Sequence, residues 1–306
     1  MLFSSIFLGL LPSFLLVGLG GLVRGRLSEN AWQGLDRLNF EILFPALLFV
    51  AAASRPIEVS QVAAMAPLVW AIMGVGLGLG WITRRHGPDR FLDFAGAWQV
   101  AWRFNTALGL VAVALLQNGG LGEMAVAVGM GVPVANLMAV SVLSRGGSFG
   151  WKATLAKIAL NPFLLASLSG LCIGLLQVQI PSPIMAPLEL LAKAAIPIAL
   201  LSIGATMDWK ALARLNRFNA AISAIKLVAM PAFALLCGVV FGLEAGIASV
   251  LVVFAALPTA SAAHVLASAF GADRRLVATL IAQTTLLSAL TLPIWITLAE
   301  IVFAVR

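Results

Sequence analysis

The sequence predicts an all-α integral membrane protein with ten transmembrane helices in two inverted five-helix repeats. Three observations carry that prediction. Hydrophobic residues make up 61% of the 306-residue chain and charged residues 10%, against roughly half and a quarter in soluble domains. Apolar runs of about 20 residues, the length that crosses the hydrocarbon core, recur from one end of the chain to the other. Basic residues collect in alternate loops between those runs, as they do when one set of loops faces the cytoplasm. A mean hydropathy of +1.05 leaves too little polar surface to cover a water-soluble globule. The short alternating segments of a membrane barrel are missing, so the spanning element is the helix.

In the first half, spans are predicted at 3–23, 37–54, 61–83, 93–117 and 121–144. In the second half they are predicted at 153–176, 184–207, 217–242, 245–270 and 275–303. The first run has no Lys or Arg before Arg24, and its charges follow it. It therefore reads as a retained span and not as a signal peptide. The chain is expected to form a single transmembrane unit, 1–306, made of repeat 1–144, a short cytoplasmic linker 145–152 and repeat 153–306.

Loop charge orients the spans. Arg24, Arg26, Arg37, Arg84, Arg85, Arg90, Arg145, Lys152, Lys157, Lys210, Arg214, Arg217, Arg274 and Arg275 fall in one set of loops. Only Arg55 and Arg306 fall in the other, and Arg103, Lys193 and Lys226 lie inside spans. The excess places the first set in the cytoplasm and both termini on the non-cytoplasmic side of a multi-pass protein. Because the net charge of +7 is spread over these loops, it forms no patch for nucleic acid. Cys172 and Cys237 sit in apolar stretches without metal-ligand spacing, so neither a metal site, a disulfide framework nor a cofactor is expected.

An odd number of spans per half makes the second half enter the membrane from the opposite side, a frequent design among carriers. Span 2 (LNFEILFPALLFVAAAS) and span 7 (LLAKAAIPIALLSIGAT) align on Pro45 and Pro197, which sets Glu41 against Lys193. Span 9 carries Pro258 near its middle, followed by Thr259, Ser261 and His264. Proline removes a backbone hydrogen bond and crowds the preceding turn, so span 9 either kinks or breaks there. Its counterpart by order, span 4, has no proline but places Arg103, Asn105 and Thr106 at similar depth.

Arg103 and Lys226 lie about ten residues from a span end, too deep to snorkel, and a central charge costs roughly 2.5–3.5 kcal/mol on insertion scales. Glu41 reads as the one clear acid inside a span, which leaves an anionic ligand or bound backbone carbonyls to accompany the two cations. If spans 4 and 9 both break, two half-helix N-termini meet at the midplane, where free N–H groups favour a carboxylate. The candidate binding residues are Asn105, Thr106, Pro258, Thr259, Ser261, Arg103 and Lys226. His264 reads either as a packing residue or as a proton-coupling group. Asn136, Asn161 and Gln283 read as interhelical hydrogen-bonding groups.

Two motifs fail on context. GGSFG at 146–150 matches G-x-S-x-G but has no strand–turn–helix setting or triad partners. GVGLGLG at 74–80 lies inside an apolar span with no strand before it, and reads as close helix packing.

Several stretches, in this order and spacing, resemble the auxin efflux carrier family in its short bacterial form. They are NPFLLASLSGLCIGLL at 161–176, AKAAIPIALLSIGA at 192–205, IKLVAMPAF at 225–233, LPTASAAHVLASAFGADRRL at 257–276 and TTLLSALTLPIWITL at 284–298. The resemblance is distant for the plant PIN carriers and for the bile acid sodium symporter superfamily. It implies a scaffold of spans 1, 2, 6 and 7, and a transport domain of spans 3–5 and 8–10 that moves like an elevator. It also implies spans 4 and 9 broken and crossing near the midplane, at Asn105 and at Pro258 with Thr259, and a homodimer. This chain departs from the plant pattern in having Phe104 where proline precedes the span 4 asparagine, and Val111 where bacterial relatives often have proline.

The resulting expectation is a permease in the bacterial cytoplasmic membrane that moves a small organic anion, a mono- or dicarboxylate, with possible coupling to H+ or Na+. The alternatives are a sodium-coupled symporter of the bile acid type and a membrane receptor that transports nothing. An intramembrane enzyme lacks a nucleophile–base pair or a metal set at matching depth.

Overall fold

A computed structural model of the chain describes residues 2–54, 59–117, 120–144, 160, 162–260 and 262–303. These residues form helices and no strand. Among the described residues, six helical stretches are long and apolar enough to cross a bilayer: Leu2–Arg26, Val59–His86, Leu121–Leu143, Ser182–Thr206, Arg217–Val240 and Arg274–Phe303. Their exposed faces are apolar, with Leu8, Leu15, Leu22, Leu190, Leu236 and Leu290 all open to the surroundings. Lipid, unlike water, places no penalty on such a surface.

In chain order, α1 spans Leu2–Val23, and α2 (Glu29–Leu38) runs through a π-helical turn at Asn39–Leu43 into α3 (Phe44–Ala53). Then come α4 (Val59–Ile82), α5 (Phe91–Trp98), α6 (Thr106–Val113) and α7 (Leu121–Leu143). The second half contains α8 (Pro162–Leu176), α9 (Ser182–Thr206) and α10 (Arg217–Ala224). A second π-helical turn at Ile225–Ala229 leads into α11 (Met230–Val240). The chain ends with α12 (Ala245–Ala256), α13 (Ala262–Ala269) and α14 (Arg274–Phe303). Arg55, Arg145, Lys152, Lys157, Asn161, Ser261 and Arg306, with the linker 145–152 and its GGSFG run, lie outside the described residues.

Both π-helical turns end two residues before a proline, Pro45 and Pro231. The wider turn accommodates a residue that cannot donate an amide hydrogen bond. Trp295 Nε1 donates to Leu227 O at 2.7 Å and so occupies a carbonyl of the second turn.

Two helix pairs pack backbone to backbone. α1 lies along α9, and α3 lies along α8. A Cβ on Gly20 would strike the Leu201 carbonyl, and one on Gly204 would strike the Val17 carbonyl. In the second pair, a Cβ on Gly170 would come within 2.9 Å of the Phe49 carbonyl oxygen. Removing side-chain bulk lets helices approach without a hydrophobic driving force, which is how lipid-embedded helices bind one another. The glycine run of α4 serves the same purpose at Gly76 and Gly80, whose Cβ atoms would meet Trp102 Cβ at 2.7 Å and Ala101 Cβ at 2.9 Å. Gly74 and Gly78, on the other face, have open space around them.

At the centre sits α12, buried from Ile247 to Ala256. It packs on α4, α7, α11 and α14.

Candidate functional site

The predicted interruption of span 4 is present. Helix α5 tightens into a 3-10 turn at Gln99–Ala101 and ends, and the chain runs without regular structure from Trp102 to Asn105. Asn105 then starts α6 as an N-cap, its side-chain oxygen accepting from Leu108 N at 3.3 Å. Asparagine is a favoured cap because it supplies an acceptor for an amide that the first turn leaves free. No proline is needed at Phe104, which packs its ring 4.5 Å from that of Phe254 on α12. The same ring lies against Gly131 of α7.

Span 9 breaks as well. After α12 the residues Leu257, Pro258, Thr259 and Ala260 are non-helical, and α13 begins at Ala262. The two breaks hold each other. Asn105 N donates to Pro258 O at 2.8 Å, Thr259 Oγ1 donates to Val100 O at 2.6 Å, and Gln99 Nε2 donates to Ala263 O at 3.0 Å. Thr259 N reaches Thr284 Oγ1 of α14 at 3.5 Å. Each strand of broken backbone thus supplies the partners that the other lost. Buried backbone polar groups require such partners.

Of the predicted binding residues, Asn105, Thr106, Pro258 and Thr259 come together at this crossing and are buried. The Thr259 hydroxyl and the Asn105 side-chain oxygen are both occupied by backbone, so in this state they position the crossing. Arg103 lies beside them, buried. Its guanidinium donates to Asn136 Oδ1 at 3.1 Å and to Gln99 Oε1 at 3.5 Å and makes no ion pair among the described residues. A guanidinium carries five N–H donors, so several remain for a ligand. Lys226 is fully buried and directs Nζ at Ala255 O, 2.8 Å away, on the last turn of α12. His264 is half-buried on α13 and makes none of the hydrogen bonds that join the breaks.

Two acids stand differently from expectation. Glu41 is half exposed and forms a surface pair with Arg37 at 2.8 Å, so it faces away from the crossing. Glu300 on α14 is 4% exposed and accepts from Gln117 N at 3.2 Å. The signal for Glu300 was in the sequence, as an acid within the apolar run ITLAEIVF. The predicted interhelical roles of Asn136 and Gln283 agree with the structure, since Gln283 Nε2 donates to Ala211 O at 2.8 Å.

Residues 151–296 match the family described as membrane transport protein. The matched stretch lies in the second half of the chain and supports a transporter. The match agrees with the resemblance to auxin efflux carriers, and it points to a transporter and not an enzyme. The chain is similar along its length to a Rhizobium meliloti protein provisionally named a malonate transporter. The two are 27% identical over 307 residues, covering 92% of each chain. It is also similar to an uncharacterised transporter of Methanocaldococcus jannaschii, at 25% identity over 299 residues, covering 92% of this chain and 94% of the relative.

Proposed function

We propose that this protein is a secondary carrier that moves a small carboxylate, with a dicarboxylate of malonate size as first candidate, across the cytoplasmic membrane. The observation that carries the reading is the mutual bonding of two interrupted helices through Asn105 N and Pro258 O. Non-helical backbone at membrane depth is tolerated where it is enclosed by protein or lines a cavity, and in carriers it forms the substrate site. The N-terminus of α6 and that of α13 bring partial positive charge to the crossing. Arg103 adds a full charge with unused donors. The name of the Rhizobium meliloti relative favours a dicarboxylate.

The same reading takes the chain as ten spans in two inverted repeats, 1–144 and 153–306, with both termini outside the cytoplasm. Two features support it. Exchanging the repeats turns the α1–α9 pair into the α8–α3 pair, and both pairs pack closely. The interrupted helices likewise occupy corresponding places, fourth in each half. Alternating access would then follow from the crossing-bearing helices moving, elevator-like, against the two glycine-packed pairs, in a homodimer.

Uptake into proteoliposomes of malonate, malate, a monocarboxylate and indole-3-acetate, with and without a proton or sodium gradient, tests the reading. Saturable uptake of a carboxylate that is lost in Arg103→Met is the expected result. A folded, reconstituted protein that moves none of them under any gradient would overturn it.

A further inference from the structure

The two half-helices that end at the crossing are finished differently. The C-terminal end of α5 and its 3-10 turn presents Val100 O, and a neutral hydroxyl, that of Thr259, covers it. The C-terminal end of α12 presents Ala255 O, and the amino group of Lys226 covers it at 2.8 Å. A helix that stops leaves its last carbonyls without amide donors and carries about half a negative charge there. At α12 the usual remedies are closed. Leu257 is extended with φ −60° and ψ 140°, so the chain does not fold back over the end, and Pro258 has no N–H to give.

Lys226 is well placed for this task and poorly placed for any other. It is 0% exposed. Met230 Sδ, one turn on, lies 3.9 Å from Nζ. No ion pair reaches it among the described residues. The elements packed on its turn are α4, α10, α11, α12, α14 and Gln99–Ala101. Their titratable side chains are Arg217, Cys237, Arg274, Arg275 and Glu300 only, and the one acid among them, Glu300, is bonded at the far end of α14. No carboxylate among the described residues therefore competes for Lys226 Nζ. The amino group faces the negative end of a half-helix that terminates two residues before the crossing. Lys226 also lies within a π-helical turn, and the extra residue of such a turn rotates the face that follows it.

We propose that Lys226 is a positioning residue that sets the charge selectivity of the crossing through α12. By cancelling the negative end of that half-helix it leaves the positive N-termini of α6 and α13 to act on the substrate, and so lets a doubly charged anion bind. This rests on the carboxylate-carrier reading and assigns Lys226 a role through Ala255 instead of through contact with the substrate.

The test compares wild type with Lys226→Met, Lys226→Gln and Lys226→Arg, each purified and reconstituted. Two quantities are read: the melting temperature without substrate, and KM for malonate against KM for a monocarboxylate at a pH where malonate is doubly ionised. Lys226→Met is expected to melt earlier without substrate, because the end of α12 loses its cap. It is also expected to raise KM for malonate about tenfold more than KM for the monocarboxylate, the size of one charge-assisted contact. Lys226→Gln can restore the hydrogen bond without the charge, so it should recover melting but not the malonate preference. Lys226→Arg should recover both. An equal rise in both KM values, or a fall in maximal rate alone, would overturn the selectivity role. Unchanged or higher melting of Lys226→Met would overturn the cap. Absence of uptake by wild type would instead sink the carrier reading, and the melting comparison would still decide the cap.

Discussion

The two interrupted helices reach one geometry by different chemistry. Span 9 stops beside a proline, Pro258, although prolines inside α1, α4, α7, α9 and α14 leave those helices continuous. Span 4 stops with no proline at all, between Trp102 and Asn105, and resumes on an asparagine cap. At Pro258 the missing N–H weakens the helix locally, and the bonds to span 4 hold the break open. At Phe104 the break is tertiary, since an unbroken helix is covalently possible and is forgone for bonds to span 9 and for the Phe104–Phe254 contact. The comparison teaches that two interruptions can hold each other open with a proline in only one of them. The orphaned carbonyl of Pro258 takes the Asn105 amide, and the orphaned Val100 carbonyl takes the Thr259 hydroxyl.

If the span 4 break is held from outside, Phe104→Ala should do the most damage. It removes a buried ring from between α12 and α7 and is expected to cost about 3 kcal/mol or more. Thermal melting in detergent measures this, and a loss under about 1 kcal/mol would mean that the break is local after all.

Thr259→Val keeps the shape and deletes the hydroxyl that reaches Val100 O. A buried carbonyl left without its donor costs about 1–3 kcal/mol. The expected readout is a fall in malonate uptake of about tenfold or more, with the protein still folded. Thr259→Ser, which keeps the donor, should retain most of the activity. Equal activity of the Val and Ser variants would break the link between the two interruptions.

Asn105→Ala sharpens the comparison from the other side. The bond from Asn105 N to Pro258 O survives, and only the cap on Leu108 N is lost. About 1 kcal/mol is expected, the usual value of an N-cap. Asn105→Asp should keep the cap but raise KM for an anion by placing a negative charge at the crossing.

Pro258→Ala should have the smallest effect. The tertiary bonds that hold span 4 open also hold span 9 open, so a loss below about 1 kcal/mol and retained uptake are expected. Complete loss of uptake would show that the covalent break leads and the tertiary one follows.

The helical spans at the two ends of the chain were legible from the length of their apolar runs alone. The run predicted at 3–23 is helical over Leu2–Val23, and that at 275–303 over Arg274–Phe303. Long apolar runs leave little choice, because lipid forces every backbone group to be satisfied inside its own segment. The predicted close packing of the glycine run in α4 was right for Gly76 and Gly80, which face Trp102 and Ala101. It was not right for Gly74 and Gly78, since a run of alternating glycines puts some on each side of a helix. Site residues were less legible. Glu41 looked like an intramembrane acid but lies exposed beside Arg37, whereas Glu300, at the end of its span, is buried. Depth in a sequence run says nothing about which way a side chain faces.

The sequence by itself determined that lipid is the solvent of this chain, that helices are its spanning element, and that span 9 is disturbed near Pro258, by a kink or a break. Each of these follows from the chemistry of a single segment: its apolar content, its length, or an imino acid without an N–H. Tertiary structure alone decided that span 9 breaks outright, what holds span 4 open without a proline, that Thr259 closes the end of span 4, and that Lys226 rests on the end of α12. Those are pairings between segments more than 25 residues apart, as Thr259 and Val100 are by 159 positions and Lys226 and Ala255 by 29. A buried donor takes whichever acceptor the packing brings within about 3 Å, and no single segment contains that information.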